Sequence, residues 1–166
     1  MKTAVKLLVF GALLTVAVVP ALSAGRDIYP PPAQAKADIA AALKAAAAAH
    51  KRILLDFGGN WCPDCQVLDI YFHNAVNGPL LAANFVLVHV NVGQFDENLD
   101  LAVKYGIPLK KGVPALAVLS DRGKLLYSQR DGEFEAMSRM ESSTVTAFLE
   151  HWRPARPGCS IVMTNC

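Results

Sequence analysis

Cys62 and Cys65, separated by Pro63 and Asp64, stand where one pattern of the chain gives way to another. Before them the apolar run Ile53-Leu54-Leu55 reads as a short buried strand, and Gly58-Gly59-Asn60 reads as a turn. After them Val67, Leu68, Ile70, Tyr71 and Phe72 suit one broad face of a helix, expected from about Cys62 to Val76. The unpaired amides at a helix N-terminus carry partial positive charge, which favours a thiolate over a thiol. Pro63 suits the first helical turn, where its missing N–H has no helical partner in any case. One turn on, Cys65 returns within disulfide reach of Cys62. The pair is therefore a dithiol placed for oxidation and reduction. Cys62, at the exposed helix tip, is the candidate nucleophile, and Cys65 is the resolving thiol that attacks the mixed disulfide.

The competing reading of C-x-x-C is half of a structural zinc site, which ordinarily needs a second Cys or His pair at short spacing. The only other cysteines, Cys159 and Cys166, are remote and seven positions apart, and no His pair at ligand spacing compensates. Neither a resident metal nor another cofactor is expected, although copper delivery through the dithiol and a nearby His stays open as a rival. Asp56 lies in the buried strand between Leu55 and Phe57, where desolvation would disfavour its charged form and suit it to take a proton from Cys65. The simpler reading of Asp56 is an acid at a strand end in water. A carboxylate at Asp64 opposes a neighbouring thiolate, so it should keep the Cys62 thiol less acidic.

Trp61-Cys62-Pro63-Asp64-Cys65, together with Asp56 six residues upstream and Gly112-Val113-Pro114-Ala115-Leu116 downstream, resembles the thioredoxin superfamily over roughly residues 35 to 153. The resemblance implies a central mixed β-sheet with helices on both faces, an α/β fold. It also implies that Asp56 is the buried acid that helps to move protons. Pro114, after Val113, becomes the cis-proline that faces the dithiol, where residues alone suggest an edge proline. His89 occupies a place where thioredoxins commonly carry lysine near that acid; it is otherwise a strand histidine bonded to a neighbour. Trp61 is expected to cover the dithiol. Pro108-Leu109-Lys110-Lys111 makes the loop before Gly112 about three residues longer than the family's typical length, which bears on substrate preference.

Around this centre the chain divides simply. Residues 1–24 hold Lys2 and Lys6, no acid and an apolar run from Leu7 to Val19, ending in small residues around Ala24. That is the pattern of a cleaved signal peptide, with an uncleaved anchor as the alternative. Its removal takes the formal net charge from +2 to a balance of 14 basic and 14 acidic residues. No clustered basic patch points to nucleic acid. Residues 25–35, with Pro30-Pro31-Pro32, read as an extended lead, residues 36–153 as the domain, and 154–166 as a tail. Export places Cys159 and Cys166 where disulfides persist, so a local structural bridge between them is expected.

Within the domain the order is a helix over Ala37–His50, a strand over Arg52–Phe57 and the dithiol helix, ended by Asn77-Gly78-Pro79. A strand over Asn84–Val92, a helix over Asp96–Tyr105, strands over Ala115–Leu119 and Lys124–Ser128, and a helix over Glu141–Trp152 follow. The function expected is that of an exported, periplasmic thiol-disulfide oxidoreductase that reduces or isomerises protein disulfides. It would be fed by a membrane electron-transfer partner and would not span the membrane in its mature form. A thiol oxidase is the rival within the same chemistry.

Overall fold

Ile53–Phe57 are wholly buried, and they form the middle of a sheet that is covered on both faces. The structure is a computed structural model that describes residues 26–155; the expected signal segment 1–24 and the pair Cys159 and Cys166 lie outside the described residues. Strand β1 (Arg52–Gly58) runs parallel to β2 (Phe85–Asn91) and antiparallel to β3 (Ala115–Leu119). Strand β4 (Leu125–Ser128) pairs antiparallel with β3, giving the order β2-β1-β3-β4. A parallel pair needs a crossover on one face of the sheet. Here that crossover consists of α2 (Pro63–Phe72) and α3 (Asn77–Asn84), so α2 leaves directly from the carboxyl end of β1.

Alternation along β1 divides the core. Ile53, Leu55 and Phe57 pack with α1 (Ala35–Ala49) and α4 (Leu99–Lys104), whereas Leu54 packs with residues of α2, α3 and α5 (Ser142–Trp152). Helix α1 buries Ala35, Ile39, Ala42 and Ala46, one stripe at helical spacing. Each large apolar side chain fully buried in these layers contributes roughly 1.5–3 kcal/mol. Most of α1's face is alanine, so the helix is held chiefly by close approach and by Ile39.

Three elements depart from the sequence expectation. The dithiol helix does not run to Val76: α2 ends at Phe72, and Asn77–Asn84 form a second helix, α3. Pro79 sits in the first turn of α3, where a missing N–H costs nothing, and Asn74 Oδ1 accepts from the amides of Val76 and Asn77 at 2.9 and 2.8 Å. The helix expected over Asp96–Tyr105 is confined to Leu99–Lys104, because Phe95 and Asn98 take positive φ, 67° and 54°. Residues 129–140, given no role by periodicity, bury Gln129, Phe134 and Met137. Gln129 Oε1 accepts from Leu116 N at 3.3 Å and its Nε2 donates to Pro114 O at 3.4 Å, bracing the start of β3.

Candidate active site

The register brings the site together. Phe57 faces Ala115 across the β1–β3 pair, so the residues that precede β3 meet the residues that follow β1. Cys62 is the N-cap of α2 with extended backbone, Pro63 follows at the first helical position, and Cys62 Sγ accepts from Cys65 N at 3.1 Å. Cys62 and Cys65 are joined in a disulfide with Cα atoms 5.3 Å apart. Across the gap, Cys62 Sγ lies 3.5 Å from the carbonyl oxygen of Val113, and the Val113–Pro114 peptide is cis. Gly112, just before it, has φ +106°, a conformation that side chains rarely adopt.

The expected exposure of Cys62 is corrected. It is only 4% exposed, against 0% for Cys65, because the turn, Val113 and the core close over it. Of the two residues, Cys62 alone keeps any surface. Trp61 is 43% exposed; its Nε1 donates to Gly93 O at 2.6 Å and its ring meets Phe95 edge-on, centroids 5.3 Å apart. Phe95 lines an apolar depression of about 670 Å3 with Leu99, Val103, Ile107, Leu109 and Gly112. The longer loop contributes Pro108, Leu109 and Lys110 to that wall.

Behind the disulfide, Asp56 is fully buried. His89, beside it on β2, brings Nδ1 to 2.9 Å from Asp56 Oδ2, so the two residues do meet. The second partner was not foreseen: Tyr29, 3% exposed, donates its hydroxyl to the same oxygen at 2.7 Å. Tyr29 belongs to the proline-rich lead, which carries no periodic signal. It is held by Asn60, whose Oδ1 accepts from the amides of Ile28 and Tyr29 at 2.8 Å each and whose Nδ2 donates to Tyr29 O at 3.0 Å. The carbonyls of Pro30 and Pro32 accept from Asn91 and Asn98 Nδ2 at 3.0 Å each. Three asparagines thus stitch the lead to the turn before Cys62, to the end of β2 and to the loop after it.

Asp64 also does more than its charge suggests. Its Oδ1 accepts from Ser138 N at 2.7 Å, tying the first turn of α2 to the 3-10 turn Met137–Arg139. A carboxylate in that turn also suits the helix dipole. Asp64→Ala is therefore expected to lower stability by about 1 kcal/mol, as for a charge-assisted bond at an exposed position. Asp64→Asn keeps an oxygen for Ser138 and should lose less, while removing the charge beside Cys62 shifts the dithiol towards a stronger oxidant. Urea midpoints and glutathione equilibration of both variants check this; equal stability losses would show that the bond to Ser138 is idle.

Among the described residues no group of three or more His, Cys, Asp or Glu is placed to hold a metal. The arrangement is a dithiol at a helix N-terminus, an apolar rim on one side and a buried carboxylate with two donors on the other.

The comparisons with known proteins agree with this geometry. A family model described as thioredoxin-like matches residues 34–120. The structure is similar to that of a disulphide isomerase from Xylella fastidiosa Temecula1, with 36% identity and a TM-score of 0.72, covering 76% of this chain and 96% of that one. It also shares the fold of a thioredoxin from Thermus thermophilus at 22% identity and a TM-score of 0.51, covering 74% of this chain and 83% of the other. A search among curated proteins found no match. With a family model matched over half of its length and a disulfide at the tip of α2, the chain belongs to the thioredoxin-like family and carries a thiol-disulfide redox centre at Cys62 and Cys65.

Proposed function

We propose that this protein is an exported oxidoreductase that reduces or isomerises protein disulfides. The observation that carries the reading is Cys62 as the N-cap of α2, its sulfur 3.5 Å from the Val113 carbonyl and its partner sulfur wholly buried. In the reduced protein the Cys62 thiolate, favoured by the helix N-terminus, attacks a client disulfide. A new S–S bond forms to one client sulfur, and the other leaves as a thiolate. Cys65 then attacks Cys62, the client's second sulfur departs, and the Cys62–Cys65 disulfide remains. Asp56 takes the Cys65 proton in that second step.

The apolar depression beside Trp61 suits the exposed apolar segments of a misfolded or unfolded client, which supports protein disulfides over small thiols as substrates. The printed name of the 36% identical relative, a disulphide isomerase, points in the same direction. Export rests on the charge and apolar pattern of residues 1–24, with cleavage near Ala24. In a periplasm, whose redox poise is not set by a thiol buffer, the reduced form needs a membrane electron-transfer partner. Cys159 and Cys166 are assigned to a bridge in the tail.

The deciding measurement is the Cys62–Cys65 reduction potential against glutathione, together with reactivation of a client holding scrambled disulfides. A value nearer about −270 mV than about −120 mV, with reactivation, is expected. A value at the oxidising end without reactivation would make the protein a thiol oxidase.

A further inference from the structure

Tyr29 is a buried titratable group that the exchange steps above leave unused. Its hydroxyl and His89 Nδ1 both bond to Asp56 Oδ2, at 2.7 and 2.9 Å. Asp56 Oδ1 is equally buried and has no hydrogen-bond partner among the described residues. A Cβ placed on Gly58 would overlap the Tyr29 phenol and come within 2.8 Å of Cys65 Sγ, so hydroxyl and sulfur converge on one small space above β1. The ring cannot drift from that place: it meets His89 edge-on, centroids 5.1 Å apart, and its backbone is clamped by Asn60.

We propose that Tyr29 is a positioning residue for the release step. Together with His89 it commits Asp56 Oδ2 to two hydrogen bonds and leaves Oδ1 as the basic oxygen that takes the Cys65 proton. This rests on the exchange reading given above and adds to it the groups that make the carboxylate usable. The step balances without an outside reagent other than water. Cys65 S–H gives its proton to Asp56 Oδ1, and the sulfur electron pair forms the bond to Cys62 Sγ. The Cys62–client bond breaks with its electron pair on the client sulfur, which is thereby reduced and takes a proton from water. Cys62 and Cys65 end oxidised, and Asp56 later returns its proton to water.

The surrounding charges fit the assignment. Burial first, and then the neighbouring Asp56 charge, hold Tyr29 well above its ordinary pKa of 10.0, so it remains a donor throughout the working range. Burial acts to lower the pKa of His89, but its hydrogen bond to Asp56, the Asp56 charge and that of Asp69 outweigh this, and it lies above 6.5. Asp69, from α2, is itself paired with Arg26 at 2.9 Å and His73 at 3.1 Å. Asp38 of α1 lines the groove that His89 borders. Both donors therefore stay on Asp56 Oδ2, and Oδ1 is the oxygen left without a partner.

The test is the pH profile of release, measured in the full-length protein by acid quench after reduced protein meets a peptide disulfide. Tyr29→Phe keeps the ring against His89 and loses only the hydroxyl. Losing a donor disfavours the carboxylate, so the acid limb of the release rate should move about one pH unit upward. On the acid limb, release at a given pH should slow about tenfold. Formation of the mixed disulfide, read in a Cys65→Ser background, should change less than about twofold, since Cys62 attack does not use Asp56. His89→Gln removes the imidazole that meets Asp56 Oδ2 and should move the limb in the same direction. A limb that stays in place in both variants overturns the proposal, whatever happens to the absolute rate. Absence of any mixed disulfide with Cys65→Ser as the sole substitution would instead overturn the exchange reading, and this proposal with it.

Discussion

Cys65→Ser is expected to accumulate covalent complexes with client proteins, while Cys62→Ser accumulates few, and neither variant turns over. The difference comes from placement. Cys62 caps α2, receives the Cys65 amide at 3.1 Å and keeps 4% of its surface, whereas Cys65 keeps none. Attack therefore falls to Cys62, and removal of Cys65 leaves attack intact while abolishing release. A non-reducing gel of acid-quenched cells, probed for this protein, reads both outcomes at once. Turnover of a model disulfide should fall by at least about a hundredfold in each variant, because a two-thiol cycle cannot close with one thiol. Equal trapping by the two variants would reject Cys62 as sole nucleophile.

Gly58→Ala should lower stability by about 1–3 kcal/mol. The added carbon would sit 2.6 Å from Tyr29 Cζ and 2.8 Å from Cys65 Sγ. Neither neighbour can yield cheaply: the tyrosine is buried and stapled at hydroxyl, ring and backbone, and the sulfur is bonded to Cys62. Gly59→Ala is the control. Its carbon would come within 2.6 Å of Trp61 Nε1, but that indole is 43% exposed and can swing aside, so a loss under about 1 kcal/mol is expected. Urea unfolding compares the two, with an unchanged slope confirming that the midpoint reports stability. Similar losses for both would mean that the space between Tyr29 and Cys65 is not tightly filled.

A good part of the site was legible in the chain because it rests on local rules. An apolar run, a glycine turn and a change of period placed Cys62 and Cys65 at a strand-to-helix junction, and the structure has them at the N-cap and first turn of α2. Burial of Asp56 followed from its apolar neighbours in a strand covered on both faces. Strand β3 over Ala115–Leu119 was readable for the same reason. Local rules also misled. Pro79, read as the end of one helix, lies in the first turn of another, since a proline interrupts a helix only where its N–H was needed. Phe95 and Asn98 shorten α4 through positive φ values that no periodic pattern encodes.

By itself, then, the sequence determined the dithiol, its handover from strand to helix, the mixed sheet and the buried acid. The dithiol, its handover and the buried acid follow from neighbours within a turn or two of the chain, and the mixed sheet from the order of the elements together with the family resemblance. Tertiary structure alone decided what those groups touch. The register of β1 against β3 brought the Val113 carbonyl to Cys62, and that of β1 against β2 set His89 beside Asp56. Packing of the proline-rich lead delivered Tyr29 to the same carboxylate, and the turn at Ser138 claimed Asp64. These partners are 27 to 74 residues apart in sequence, where hydropathy period and turn chemistry carry no information about distance. For Tyr29 and His89, what selects the contact is the need to satisfy buried polar groups once the core has closed, because an unpaired hydroxyl there costs on the order of 2–7 kcal/mol and an unpaired carboxylate more.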